Sequence, residues 1–297
     1  MSWFTDWITY FSYSLMWRIV RILPEKTAYA LFSWGSRRSY KRNGRRVQRL
    51  RSNYRKVKPN ISEPELEEMV KAGLESAMRY WCDTFRISDW SKQHVFETVT
   101  TTNEDLLVTG ASSGDGVIVA LPHAGNWDHG GLYFCTKGIP VYTVAEHLKP
   151  ERLFKKFLEH RNRMGMTVLD LDGGVMPQLR NFLNQGRLVA LVADRDLSKS
   201  GIEVDFFGSK AKMPPGPALL ALDTKASLIT VYVSFRENGI HMTFNGPIPV
   251  NRSAPDKSIE VERITQSLAR AFERDISEDP TSWHMQQRIF IDPKVNK

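Results

Sequence analysis

In the stretch ALPHAGNWDHGG, residues 120–131, His123, Asn126, Asp128 and His129 stand between an apolar run and a pair of glycines. An imidazole is the side chain whose ordinary pKa lies nearest neutrality, which makes His123 a candidate general base. Such a base works best when a partner fixes its tautomer. Asp128 falls in the first turn of an expected helix, from which it could reach back to one ring nitrogen and leave the other to take a proton. Asn126 fits the N-cap of that helix. A metal site is the rival reading, but Ala124 and Asn126 stand where further ligand histidines would be needed. His147 and His160 have no partner spacing, so no metal is read.

His123 has to be held by something rigid. GVIVALP (116–122) is a short continuous apolar run, as in a strand covered on both faces, and the next residues read as a helix near 126–137. The alternation continues with strands at 140–146, 166–171 and 187–194 and helices at 150–164 and 174–185. EVDFF (203–207) reads as a strand and a helix follows from Pro217 to about Lys225. SLITVYVSF and GIHMTFNGPIPV, joined by the turn RENG, form an antiparallel pair before a last helix at 258–276. Upstream, Ser62, Glu65 and an early proline in NISEPELEEMV start a helix that runs to about Phe85, and up to that point the chain reads as all helical. The expected fold is α/β, a central mostly parallel mixed sheet flanked by helices with a helical N-terminal cap. In such sheets ligands bind at the carboxyl ends of the strands, where His123 falls.

Apolar residues make up 41% of the 297 and charged residues 25%, which excludes a disordered chain. Cys82 and Cys135 form no disulfide framework and read as buried thiols in a reducing compartment. The charge is unevenly placed. Residues 1–58 carry 14 Lys and Arg against two acids, a balance of +12, whereas the other 239 residues hold 27 against 31, a balance of −4. A basic end of this kind meets a polyanion, either nucleic acid or an anionic membrane. Ten of the 32 aromatics lie within residues 3–34, and Phe4, Ile8, Phe11, Leu15, Ile19 and Ile22 recur at helical spacing. That pattern selects a membrane surface and no nucleic acid. The longest charge-free run, Trp7 to Trp17, is 11 residues, too short for the ~20 that span a bilayer, so an in-plane amphipathic helix is expected. Asp6 comes early and Arg18 and Arg21 interrupt the apolar region, so the AYA at 28–30 is not read as a signal-peptide cleavage site. Two units follow: a basic, aromatic, membrane-binding helical segment at 1–58 and a single α/β domain at 59–297.

His123 and Asp128 after an apolar strand, together with TVAEHLKPERLFKKFLEHR (143–161), LVADRDLSKSGIEVDFFG (191–208), MPPGPALLALDTKASLI (213–229) and SWHMQQRIF (282–290), resemble the membrane-associated glycerolipid and lipid A acyltransferases. The ordered blocks look most like the actinobacterial branch, the phosphatidylinositol mannoside acyltransferases. The resemblance implies that His123 deprotonates a sugar hydroxyl, which attacks an acyl-CoA thioester. It implies a partner acid for His123 in ADRDL, here Asp194 where the mannoside branch more often has Glu, with Asp128 as the alternative. Glu146 and Arg161 match positions lining the family's active site, Arg195 adjoins the partner acid, and Ser200 and Asp223 match positions near the acyl donor.

Taken together these imply an acyltransferase with acyl-CoA as co-substrate and no other cofactor. It would act on a glycosylated phosphatidylinositol acceptor, as a peripheral protein on the cytoplasmic side of the inner membrane. A lipid A-type enzyme using an acyl carrier protein is the nearest alternative. A basic nucleic-acid-binding protein is the alternative from another class.

Overall fold

The computed structural model describes residues 3–147, 149–171, 174–196 and 200–291. Seven strands form the central sheet: β1 (Val99–Thr102), β2 (Val117–Leu121), β3 (Val141–Ala145), β4 (Thr167–Asp170), β5 (Leu188–Val192), β8 (Ser227–Arg236) and β9 (Gly239–Asn245), in the order β1-β9-β8-β2-β5-β3-β4. Every neighbouring pair is parallel except β8–β9, so the sheet is mostly parallel and mixed. β2 lies at the centre with all five residues buried, which is why its sequence is continuously apolar rather than alternating. Helices α7 (Trp127–Thr136) and α8 (Glu151–Arg163) provide the crossovers from β2 to β3 and from β3 to β4.

Two strands escape the sequence reading. β1 is only VTTT and carries no apolar alternation, yet it pairs parallel with β9, in the stretch between Phe85 and Gly116 for which the sequence names no element. β6 (Ile202–Phe206) is found where EVDFF stands, but it forms a separate two-stranded ribbon with β7 (Ser209–Met213). The turn between them uses Phe207 and Gly208, both with positive φ (48° and 67°), the backbone that two-residue hairpins require.

The first 58 residues fold as three helices, α1 (Trp3–Ile22), α2 (Glu25–Arg42) and α3 (Arg45–Val57), followed by α4 (Glu63–Arg86) with the capping box built by Ser62 and Glu65. They share the core of the rest. Val47, Leu50, Tyr54 and Val57 of α3 are buried in the main core cluster, and the Tyr54 hydroxyl donates to the Trp283 carbonyl at 3.1 Å. α1 is fixed by Trp17 and Val20, buried against Phe85, Leu153 and Phe157. The Trp17 indole donates to the Phe85 carbonyl at 3.0 Å. Arg86 donates at 2.8 Å to the carbonyls of Val20 and Leu23, which have no partner within the helix they end. This attachment turns Ile8, Phe11, Leu15, Ile19 and Ile22 outward, Phe11 being 51% and Ile22 76% exposed. The side chain of Phe4 lies outside the described residues. Among the described residues no helix is long and apolar enough to cross a membrane.

Candidate active site

Strands β2 and β5 run side by side in parallel, Leu121 paired with Val192, and the Ala193 amide donates to the Leu121 carbonyl at 2.8 Å. Two residues further on each strand come His123 and Asp194. The shared register therefore brings together two residues 71 apart in sequence. Asp194 Oδ1 lies 2.5 Å from His123 Nδ1, and Oδ2 accepts the His123 backbone amide at 3.0 Å and the Trp283 indole at 2.8 Å. Asp194 is fully buried. Burial alone would raise its pKa; the His123 charge, the ring and backbone N–H bonds and the Trp283 indole outweigh it and hold the carboxyl below its ordinary value. An ionised carboxylate only accepts, so Nδ1 donates to Asp194 and Nε2 is the ring nitrogen turned away from it.

The loop that presents His123 is tightly built. Gly125 has φ +58°, and a Cβ there would lie 2.3 Å from the Val233 carbonyl oxygen, so only glycine fits. Its amide donates to the Ser282 carbonyl at 2.9 Å, its own carbonyl accepts from His284 Nε2 at 3.1 Å, and Ala124 bridges to Trp283. Burial depresses the His284 pKa to about 4, so this ring is a neutral donor. Asn126 caps α7 by accepting the His129 amide at 3.0 Å. Trp127 meets the His123 ring edge-on at 5.6 Å between centroids and stacks on Tyr80 at 4.3 Å.

Asp128 does not turn back to His123. Its buried carboxylate takes Arg161 in two bonds of 2.8 and 3.1 Å and the Tyr80 hydroxyl at 3.2 Å. The geometry has a simple cause: Asp128 lies in the first turn of α7, and its side chain faces α4 and α8 rather than the end of β2. Burial by itself would lower the Arg161 pKa, but the Asp128 charge raises it overall, so the pair is ionic. His129, the second histidine of the opening stretch, is buried against Trp90 and Thr98 with its pKa pushed down to about 3 by burial, a neutral packing residue.

These groups border a cavity of about 710 Å³. One wall is a single face of the sheet: Val119 and Leu121, Leu188, Ala190 and Val192, and Val231 and Val233 alternate along their strands, and His123 continues the same alternation from β2. Asp128, Arg161, Glu146 and Arg195 also line it. Arg195 is held by the Gln287 amide oxygen and stands 3.5 Å from Glu146, which is exposed. Asp223 lies elsewhere, at the end of α10 (Gly216–Asp223), paired with Arg180 at 2.6 Å and Lys257 at 3.8 Å. Ser200 is exposed just before β6 and does not border the cavity. Sequence reasoning gave no role to Thr9, Tyr80, Trp127, Trp283, His284 or Gln287, and it counted Tyr13 and Arg46 with the membrane-binding residues, whereas Thr9, Tyr13 and Arg46 border the cavity from α1 and α3. The block SWHMQQRIF was the available signal for three of them, but its spacing says nothing of a contact with residue 194. Among the described residues no three His, Cys, Asp or Glu side chains gather as a metal-ligand set.

An imidazole held by a buried carboxylate beside a largely apolar cavity suits taking a proton from a lipid substrate. The family model for bacterial lipid A biosynthesis acyltransferase matches residues 2–291. A phosphatidylinositol mannoside acyltransferase of Mycolicibacterium smegmatis is 37% identical over 289 residues, covering 96% of this chain and 92% of that protein. One of Mycobacterium tuberculosis is 36% identical over 290 residues, covering 95% and 87%. A lipid A biosynthesis acyltransferase of Haemophilus influenzae is 21% identical over 221 residues, covering 72% and 69%. The chain belongs to the bacterial lipid A biosynthesis acyltransferase family and is an acyltransferase.

Proposed function

We propose that the protein moves a long fatty acyl chain from acyl-CoA to a sugar hydroxyl of a phosphatidylinositol mannoside, with His123 as general base. The observation that carries this reading is the His123–Asp194 pair at the edge of a largely apolar cavity. Nε2 takes the proton of the acceptor hydroxyl as its oxygen attacks the thioester carbonyl carbon. The tetrahedral intermediate collapses, the carbon–sulfur bond breaks, and the coenzyme A thiolate leaves and recovers the proton from His123. Asp194 stabilises the imidazolium and keeps the ring in register. Arg161 Nη1, the one guanidinium nitrogen that does not bond Asp128, would meet a carbonyl or phosphate oxygen, and Glu146 and Arg195 border the acceptor side. This chemistry needs a base and positioning, and no metal or redox cofactor.

The same reading places the protein on an anionic membrane surface, on the side where a coenzyme A thioester is available. The exposed face of α1 would enter the headgroup boundary, and Arg37, Arg38, Lys41, Arg42, Arg45 and Arg49, all exposed, would meet acidic headgroups. Thr9 and Tyr13 of the same helix border the cavity, which would let a lipid acceptor enter from the membrane beside α1.

The test is incubation of the purified protein with palmitoyl-CoA or a palmitoyl acyl carrier protein and a phosphatidylinositol mannoside, followed by mass spectrometry of the lipids. An acceptor heavier by one palmitoyl group, formed from the coenzyme A thioester, is the expected product. Transfer only from the carrier protein would overturn the donor, and transfer only to another glycolipid would overturn the acceptor.

A further inference from the structure

Helix interiors disfavour glycine, yet α7 carries two in succession, Gly130 and Gly131. Both border the cavity. A Cβ placed on Gly130 would stand 2.9 Å from Met242 Sδ, and one on Gly131 would stand 2.8 Å from Met166 Sδ. In both cases the obstruction is the end of a flexible, unbranched side chain, unlike the backbone carbonyl that confronts Gly125. Met242 and Met166 border the same cavity. A methyl group added to α7 therefore meets a flexible thioether that borders the cavity rather than fixed backbone.

The cavity wall crosses five adjacent strands, β9, β8, β2, β5 and β3, a breadth of about 19 Å at the usual strand spacing. On the β9 side it is bounded by Phe134 and Phe244, in edge-to-face contact at 5.9 Å, and by Leu107. Trp127, Gly130, Gly131 and Phe134 recur at helical spacing on the side of α7 that faces this wall, so the two glycines admit the Met242 and Met166 thioethers between two large aromatic side chains.

We infer that Gly130 with Met242 and Gly131 with Met166 gauge the hydrocarbon chain, setting the length and thickness of the acyl group the enzyme accepts. This rests on the reading of the apolar cavity as the acyl site. The glycines make room for the two thioethers beneath α7, and the thioethers form the adjustable wall of the cavity. They are specificity-determining residues and touch none of the reacting atoms.

The experiment measures displacement of a fluorescent fatty acid from the full chain by decanoic, palmitic and stearic acids, alongside transfer from the matching coenzyme A thioesters. Gly130→Ala and Gly131→Ala should lower the preference for palmitic over decanoic acid by roughly tenfold in at least one variant, since one methylene in an apolar pocket changes discrimination on that scale. Met242→Ala in the first background and Met166→Ala in the second should restore it, and either methionine variant alone should shift preference toward stearic acid. A purely structural role would lower the melting temperature or weaken all chains equally, leaving the ratio unchanged. Ratios within about twofold of wild type in all four single variants would overturn the gauge while leaving the acyl site standing. Failure of the wild-type protein to bind any of the acids would overturn both.

Discussion

His123 Nδ1 and Asp194 Oδ1 stand 2.5 Å apart at the ends of two adjacent parallel strands, and the Trp283 indole holds the other carboxylate oxygen at 2.8 Å. The ring is partly open to the cavity while the carboxylate is sealed. His123→Ala should therefore fold with a melting temperature near that of wild type and lose roughly 10²–10⁴-fold in kcat. Asp194→Asn should lose a comparable amount, and the double variant should be little worse than either single, because the two act as one unit. Single-turnover rates decide this; activity within a few-fold of wild type in either single variant would remove the pair from the chemistry.

The Asp128–Arg161 pair should behave differently. Asp128→Asn leaves a guanidinium buried without a counter-charge, which costs on the order of 3–5 kcal/mol of stability. Asp194→Asn leaves an imidazole that can simply stay neutral. Thermal unfolding of the two variants side by side should show the larger drop for Asp128→Asn. An equal or smaller drop would mean that Asp128 serves chemistry rather than the joint between α7 and α8.

Asp83 on α4 is buried, accepts the Tyr29 hydroxyl at 2.6 Å, and has its pKa raised by burial from 3.8 to about 6. The folded chain then keeps a proton that the unfolded chain has already lost, so this group's contribution to stability falls as pH rises from about 4 to 6 and is level above that. Asp275, also raised to about 6 by burial, acts in the same direction. Asp83→Asn should accordingly flatten the decline in melting temperature across that window without abolishing it. An unchanged slope would show that Asp83 ionises normally in the fold.

Neutralising Arg37, Arg38, Arg42 and Arg45, none of which borders the cavity, should weaken binding to phosphatidylinositol-containing vesicles. Each basic residue near an anionic surface contributes on the order of 1 kcal/mol, screened over ~8 Å at physiological salt. Activity on a detergent-dispersed acceptor should stay close to wild type. High salt should release the wild-type protein only in part, because the exposed face of α1 binds by apolar burial. Equal co-sedimentation with neutral and anionic vesicles would contradict the electrostatic half of this account.

The α/β class, the strand that carries His123, the cap at Ser62 and the outward apolar stripe of α1 were all legible in the sequence. Each rests on local periodicity or on a capping residue, and such signals are complete within a dozen residues. β1 and β7 were not legible, because VTTT and SKAKM hold too little apolar pattern to be told from loop. Nor was the choice between Asp128 and Asp194. Five residues of spacing make Asp128 the nearer candidate, but proximity in sequence does not say which way a helix faces. Tertiary structure decided it through strand order: β5 lies against β2, and equal steps past Leu121 and Val192 put residues 123 and 194 in contact. The same order, with α7 laid across it, made a cavity against one side of five strands, and the segment at 282–284 sealed the carboxylate with Trp283. A single chain's sequence states what each segment prefers to become. Which segments meet is set by burying all of their apolar faces at once, and that is a property of the whole fold.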